Sequence, residues 1–479
     1  MPARKSPSSS ARRLSGHECS LQFQTARVKP GRLATHSFGN DRTPLETTLD
    51  TQTPIASPHR TLAAIIAVAG LAELAYMLVN FSAMPVYFRD SLHYGESSLS
   101  LILATFLIFE GGMRGPFGVI GDRIGRKWMI LAGPLVSTFT SLLLVVVPGH
   151  AWYLFVLLRI LDGCGAGALW PATFAMIADV APIERRAQAM SLFNVTYMGS
   201  VAVGPFLGGI ANDLTGFFVR HLPKAQQARY DPLQASFYLA SVIFLAAVIV
   251  ALWRIPNIPP HHQRDGNAGL HDSGFSFPAL IESLRRIPAI LLTAFVCFMG
   301  IGLVMLIVKL FAKDELHVSE TGYGSMLMVP ALIIGAASVP LGTIGDRIGK
   351  ARAFKLGLAL CGFSMWGLVF SGSQAAMVFG GTLIGIGFVI AFPAWNAFVS
   401  DSCGPEQRGA VMGAVGTVQS AGAMIGAPIG GALYEKAHIH IAAMPWINAH
   451  YVPFIGCATL LMAAWLIAVF TIHEPHRSR

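Results

Sequence analysis

The chain has 479 residues, of which 12% are charged and 53% apolar, with a mean hydropathy of +0.57. Soluble chains carry about 25% charged residues, which excludes a water-soluble globular protein, and 30 Phe, 8 Trp and 49 Gly in long apolar runs exclude a solvated disordered chain. The net charge of +9 sits in short loops and an N-terminal tail with no basic stripe, so it reads as a topology signal and not as a nucleic-acid surface.

Residues 1–60 hold nine Lys or Arg against four acidic residues and show no helical period. They are expected to form a disordered basic cytoplasmic tail; the composition also fits a transit peptide or a mis-set start. From Thr61 onward, twelve apolar stretches recur, each near the ~20 residues that a bilayer-crossing helix needs. The predicted spans are 61–85, 98–120, 128–148, 151–177, 188–211, 235–254, 288–310, 321–343, 353–372, 375–398, 409–432 and 450–472. Unbroken runs of this length are helical, whereas barrel strands alternate over about ten residues. The expectation is an all-α membrane protein of two six-helix bundles, 61–254 and 288–473, with a cytoplasmic linker over 255–287 and a short tail over 474–479.

Lys and Arg number 25 on the tail and even-numbered loops and six on the odd-numbered loops, which places both termini in the cytoplasm. Lys309 is assigned to snorkel from the outer end of span 7. His261 and His262 in the linker lack a carboxylate or Cys to complete a metal site, and the six cysteines show no C-x-x-C spacing. Metalloprotease, hydrolase-elbow and P-loop motifs are missing, so no enzyme and no cofactor is expected.

The second half repeats the first. Gly118-Val119-Ile120-Gly121-Asp122-Arg123-Ile124-Gly125 returns 224 residues later as Gly342-Thr343-Ile344-Gly345-Asp346-Arg347-Ile348-Gly349, and Leu92-His93 returns as Leu316-His317. Asp179, Glu184 and Arg186 return 222 residues later as Asp401, Glu406 and Arg408. Tandem halves about a central cavity are a transporter architecture.

With these residues in view, the sequence resembles the major facilitator superfamily over about residues 61 to 473. The signature G-x-x-x-D-R-x-G-R-K runs from Gly118 to Lys127 through Asp122, Arg123, Gly125 and Arg126, and its second copy ends at Gly349-Lys350. Arg159-x-x-x-Gly163-x-Gly165-x-Gly167 resembles the family's helix 4 signature. Gly204-Pro205-x-x-Gly208-Gly209 is similar to the helix 5 signature of the drug/proton antiporters, except that Ser200 stands where a glycine is usual. The resemblance implies that Asp122 faces the start of helix 11 near Gly409, and Asp346 the start of helix 5, as a cytoplasmic latch completed by Arg123, Arg126, Lys127, Arg347 and Lys350. A physical reason for Gly118 is that it ends helix 2 without a side chain, so that a neighbour comes close.

Five charged residues fall inside the first four spans: Glu73, Glu110, Arg114, Arg159 and Asp162. Each costs ~2.5–3.5 kcal/mol at a span centre. Glu110 with Arg114 at i, i+4, and Arg159 with Asp162 at i, i+3, suit structural pairing, which leaves Glu73 alone at about the bilayer midplane. Two readings of Glu73 stay open: a proton or substrate site, with Tyr76 and Asn80 on the same cavity-facing side of helix 1, or a buried pair with Arg159 or Arg114. The resemblance implies proton transfer at the helix 4 arginine, here Arg159. The C-terminal half offers neutral groups, among them Phe298, Met299, Trp395, Asn396 and Gln419, as a soft pocket or as ordinary packing.

These residues together predict a multi-pass transporter of the cell (inner) membrane that exports small apolar or cationic compounds in exchange for protons, by alternating access. Its expected partners are the solute, protons and the lipid bilayer, with the chain acting as a monomer and the proton gradient as energy source. The alternatives are an uptake symporter or facilitator for sugars, nucleosides or organic anions, and a transporter-fold sensor or docking protein.

Overall fold

The computed structural model describes residues 58–182, 185–227, 229–257, 288–342, 344–371, 373–401, 408–440 and 449–472. The tail before 58, residues 258–287 of the linker, Glu184, Glu406 and everything from 473 onward lie outside the described residues. Among those described, the secondary structure is helical throughout, with no strand. Twelve long helices follow one another: α1 Pro58–Met77, α2 Glu96–Ile124, α3 Arg126–Val146, α4 Trp152–Val180, α5 Arg186–Arg220, α6 Ala235–Arg254, α7 Pro288–Met305, α8 Glu320–Gly342, α9 Lys350–Ser371, α10 Gln374–Asp401, α11 Arg408–His440 and α12 Val452–Thr471. Eleven are long and apolar enough to cross a membrane. The other is α11, whose seven glycines dilute its hydropathy although it covers the predicted eleventh span. With no water in hydrocarbon to satisfy peptide groups, spans of this kind must close their own backbone hydrogen bonds.

Several helices outrun their predicted spans. α1 continues to Ser91 through π-helical turns at Leu78–Ala83 and Tyr87–Ser91. α2 runs on to Ile124, so Gly118 lies inside it and does not end it. A Cβ at Gly118 would make only an ordinary 3.8 Å contact with Pro171, and close approach does not explain that glycine here. Gly125, by contrast, turns the chain from α2 into α3 at φ 106°, and its repeat Gly349 does the same before α9 at φ 99°, a conformation that L side chains resist. His93 and His317 share a left-handed backbone too, at φ 58° and 49°.

Small residues set the packing. A Cβ at Gly163 would stand 2.5 Å from the Phe106 carbonyl and one at Gly167 2.9 Å from that of Glu110, both in α2, while one at Gly165 would stand 3.2 Å from that of Gly133 in α3. The three alternate glycines thus let α4 lie against both neighbours at backbone distance. Gly204 and Gly208 of the helix 5 motif do the same for α5 on α1, with Leu74 O at 2.8 Å and Ser82 Oγ at 2.6 Å from the added carbon.

The two bundles meet through α2 with α11 and α5 with α8. We call the end holding the α2–α3 and α8–α9 turns the basic end. At the far end, the backbones touch: a Cβ on Gly209 of α5 would lie 2.3 Å from Glu320 O, and one on Gly431 of α11 2.6 Å from Glu96 O. Toward the basic end, Gly112 and Gly115 of α2, Gly199 of α5, Gly335 of α8 and Gly416 of α11 have nothing within 4 Å of an added Cβ. Among the described residues the halves touch at the far end, and these glycines nearer the basic end face open space.

Candidate functional site

Glu73 of α1 is 2% exposed, and its Oε1 has no hydrogen-bond partner. Ser200 of α5 donates to Gly70 O at 2.8 Å, which draws α5 onto α1 one turn below Glu73. This brings the Tyr197 hydroxyl onto the Glu73 carboxyl, within electrostatic range of Glu110 and Arg114. Arg114 Nη2 donates to Glu110 Oε1 at 2.6 Å, and its side chain is 52% exposed. One guanidinium, paired with Glu110, thus stands among two carboxyl groups, and the group carries one uncompensated negative charge unless a proton or a cation joins it. Sequence reading missed Tyr197, because a lone tyrosine in an apolar span carries no signal until its neighbour across the helix pair is known.

Arg159 and Asp162 of α4 are ion-paired, with Arg159 0% exposed. Ser137 and Thr140 of α3 donate to the Asp162 carboxylate, and Tyr76 OH lies 2.8 Å from Ser137 Oγ. The guanidinium sits 4.8 Å from the centroid of the Phe106 ring and contacts Met84 Sδ. This second cluster neutralises itself inside the bundle. Tyr76 and Asn80 are corrected accordingly: both are buried, Tyr76 against α3 and Asn80 donating to Tyr76 O of its own helix, so neither lines the cavity. The polar face of helix 1 is a core face, because α3 and α4 supply polar partners that a single-helix reading cannot see. A pair between Glu73 and Arg159 does not form either, since Asp162 occupies that guanidinium.

In the C-terminal bundle, Phe298, Phe354, Phe388, Phe392, Trp395 and Gln419 line a small apolar cleft. Phe354 and Trp395 lie 4.6 Å apart, and Phe388 stacks on Phe392 at 5.0 Å. Met299 and Asn396 are not on its lining; Met299 instead gives its backbone to Gly422 and Gly426 of α11.

At the basic end, Asp122 is 56% exposed and pairs with Arg126 of its own half at 3.3 Å, not with the start of α11 among the described residues. Arg126 also binds Asp179 and Ala175 O at the end of α4, and Lys127 donates to Leu252 O of α6. Arg123 is exposed. The side chains of Gly342's neighbour Thr343, of Asp346 and of Arg408 lie outside the described residues.

The far end holds what the sequence reading left out. Arg89 donates to Asp314 at 2.6 Å, and Lys313 pairs with Asp90. Lys309 does not snorkel to a surface: it is 2% exposed, bonded to Ser82 O of the opposite half and to Glu320 at 2.5 Å. A lysine at a span end can reach water only where no helix covers it, and here α1 and α8 do.

Two six-helix bundles built from repeated halves and joined through α2 with α11 and α5 with α8 are the architecture of a membrane transporter. The chain belongs to the Major Facilitator Superfamily, whose profile matches residues 65–308 and 290–479. It is similar to Multidrug resistance protein 2 of Bacillus subtilis (strain 168), 26% identical over 378 residues covering 77% of this chain and 87% of that protein. It is also similar to Quinolone resistance protein NorA of Staphylococcus aureus (strain Mu50 / ATCC 700699), 24% identical over 410 residues, 83% of this chain and 92% of that one. Among solved structures, nucleoside transporter NupG matches with a TM-score of 0.67 at 13% identity, over 86% of this chain and 100% of its own. A bacterial homologue of the human lysosomal transporter Spinster, solved inward-facing and unoccupied, matches with a TM-score of 0.64 at 16% identity, over 87% and 95%. At such identities these two establish the fold alone.

Proposed function

We propose that the protein exports small, largely apolar or cationic compounds across a cell membrane in exchange for protons. The distribution of Lys and Arg supports a cytoplasmic basic end with both termini inside, and the open space about the glycines there supports reading the conformation as inward-open. The observation that carries the reading is the odd charge at Glu73, beside Glu110, Arg114 and Tyr197, with one carboxyl oxygen unpartnered. An uncancelled charge in hydrocarbon costs ~2.5–3.5 kcal/mol, so the halves rock with a proton or a cation at Glu73, and exchange of one for the other couples two fluxes. The aromatic cleft of the C-terminal half receives the apolar part of the solute. Two relatives are named for multidrug and quinolone resistance, in keeping with such cargo.

Inverted vesicles with an imposed pH gradient test this. Lipophilic fluorescent cations and neutral drugs should be taken up and dissipate the gradient; if none does, antiport is wrong. A second reading rests on the half-exposed Arg114: an organic anion bound there would exchange in counterflow without dissipating the gradient.

A further inference from the structure

Three positions on each side of the far-end contact repeat with the halves. Gly209 of α5 touches the first residues of α8, and one turn later Asp213 accepts the Thr321 N–H at 2.8 Å. Gly431 of α11 touches the first residues of α2, and one turn later Glu435 accepts the Ser97 N–H at 2.7 Å. Asp213 and Glu435 stand 222 residues apart, as do Gly209 and Gly431, while Ser97 and Thr321 stand 224 apart.

We propose that Asp213 and Glu435 are a duplicated pair of positioning residues whose carboxylates clamp the first turn of the opposite half's second helix, and so set the balance between inward-open and outward-open forms. The first four N–H groups of a helix have no partner within it, and the partial positive charge there favours an anion. Ser97 and Thr321 are the second residues of α2 and α8. The glycine lets the two backbones close to contact, and the carboxylate then reaches an N–H that the helix itself leaves free. Both clamps join opposite bundles, so both break when the far end opens. Because they act on one equilibrium, their contributions multiply in the population ratio. Lys309 adds an unpaired lock on the Asp213 side only, holding Ser82 O of α1 and Glu320, which Asn212 of α5 also contacts at 3.4 Å.

Nitroxide labels at far-end turn positions His150 and Ser373, in the full chain without its native cysteines and reconstituted in lipid, report far-end separation by electron–electron distance. Asp213→Ala and Glu435→Ala should each raise the outward-open to inward-open ratio by roughly three- to tenfold, and the double variant by about the product of the two. Unchanged solute affinity certifies the fold. If the alanine pair does not fold, Asp213→Asn with Glu435→Gln keeps shape and removes charge, and the same shift is expected in direction. A folded double variant with the native distance distribution overturns the clamp. So does a shift in the double variant no larger than that of one single variant.

Discussion

Arg89 of the N-terminal bundle donates to Asp314 of the C-terminal bundle at 2.6 Å, and Lys313, which stands 224 residues after Arg89, pairs with Asp90 in return. The exchange is what a twofold axis imposes on a repeated basic–acidic pair. Tyr434 adds a third contact, donating to Asp314 at 2.8 Å. The second π-helical turn of α1, Tyr87–Ser91, carries Arg89 and Asp90, and the first carries Ser82, so both irregular turns of this helix hold contacts to the other half. Such turns recur at functional sites.

Asp314→Ala removes the acceptor of both Arg89 and Tyr434 and should shift the population toward outward-open several-fold, about 1 kcal/mol for a partly shielded pair. The charge reversal Arg89→Asp with Asp314→Arg should recover most of the native distribution. Label distances at the far end are the measurement, and no shift in Asp314→Ala removes the pair from the gate.

Asp162→Ala strands the Arg159 guanidinium in the core. The expected loss is roughly 3–5 kcal/mol, as for one partner of a buried pair, seen as a lower melting temperature in detergent. Replacing both, Arg159→Met with Asp162→Leu, should restore much of the stability, which separates a structural role from proton transfer: transport by that double variant would show that the second cluster is not in the coupling path.

Gly431→Leu places a side chain where Glu96 O already stands 2.6 Å from a Cβ. The far end cannot then close, and turnover should fall about tenfold or more while solute binding from outside persists. Normal turnover in this variant means that the contact is not needed in the cycle.

Ser97, whose backbone N–H donates to the carboxylate at 2.7 Å, holds the Glu435 carboxyl below its ordinary value of 4.5, with Lys436 acting in the same direction. The closed far end therefore favours the ionised carboxylate. Its contribution to closure is complete above 4.5 and declines as the pH falls through and below that value. A titration of the label distance from neutral pH into that range should show far-end opening, and Glu435→Gln should flatten it. A native curve in the variant assigns the opening to other groups.

The fold was legible because twelve apolar runs and an eight-residue repeat are local patterns. The charged residues inside spans were legible for the same reason, as was the pairing of Arg159 with Asp162 and of Arg114 with Glu110, fixed by helical spacing alone. What stayed hidden depends on facing helices. Tyr76 and Asn80 share a face with Glu73, but that face turns to α3 and α4. Lys309 looks like an end-of-span lysine until Ser82 and Glu320 are placed around it. The far-end clamps had a sequence signal that the loops obscured: Arg89-Asp90 and Lys313-Asp314 extend the Leu92-His93 repeat, and the G-x-x-x-G-G pattern of Gly204–Gly209 returns at Gly426–Gly431.

Proton release on solute binding, followed in weakly buffered detergent solution with a pH indicator, addresses Glu73 most directly. Addition of a permanently charged lipophilic cation to the native protein should release up to one proton per bound solute, and Glu73→Gln should bind neutral solutes nearly as before while releasing none. Undiminished proton release from Glu73→Gln, with native affinity for the cation, would contradict the placing of exchange at that carboxyl.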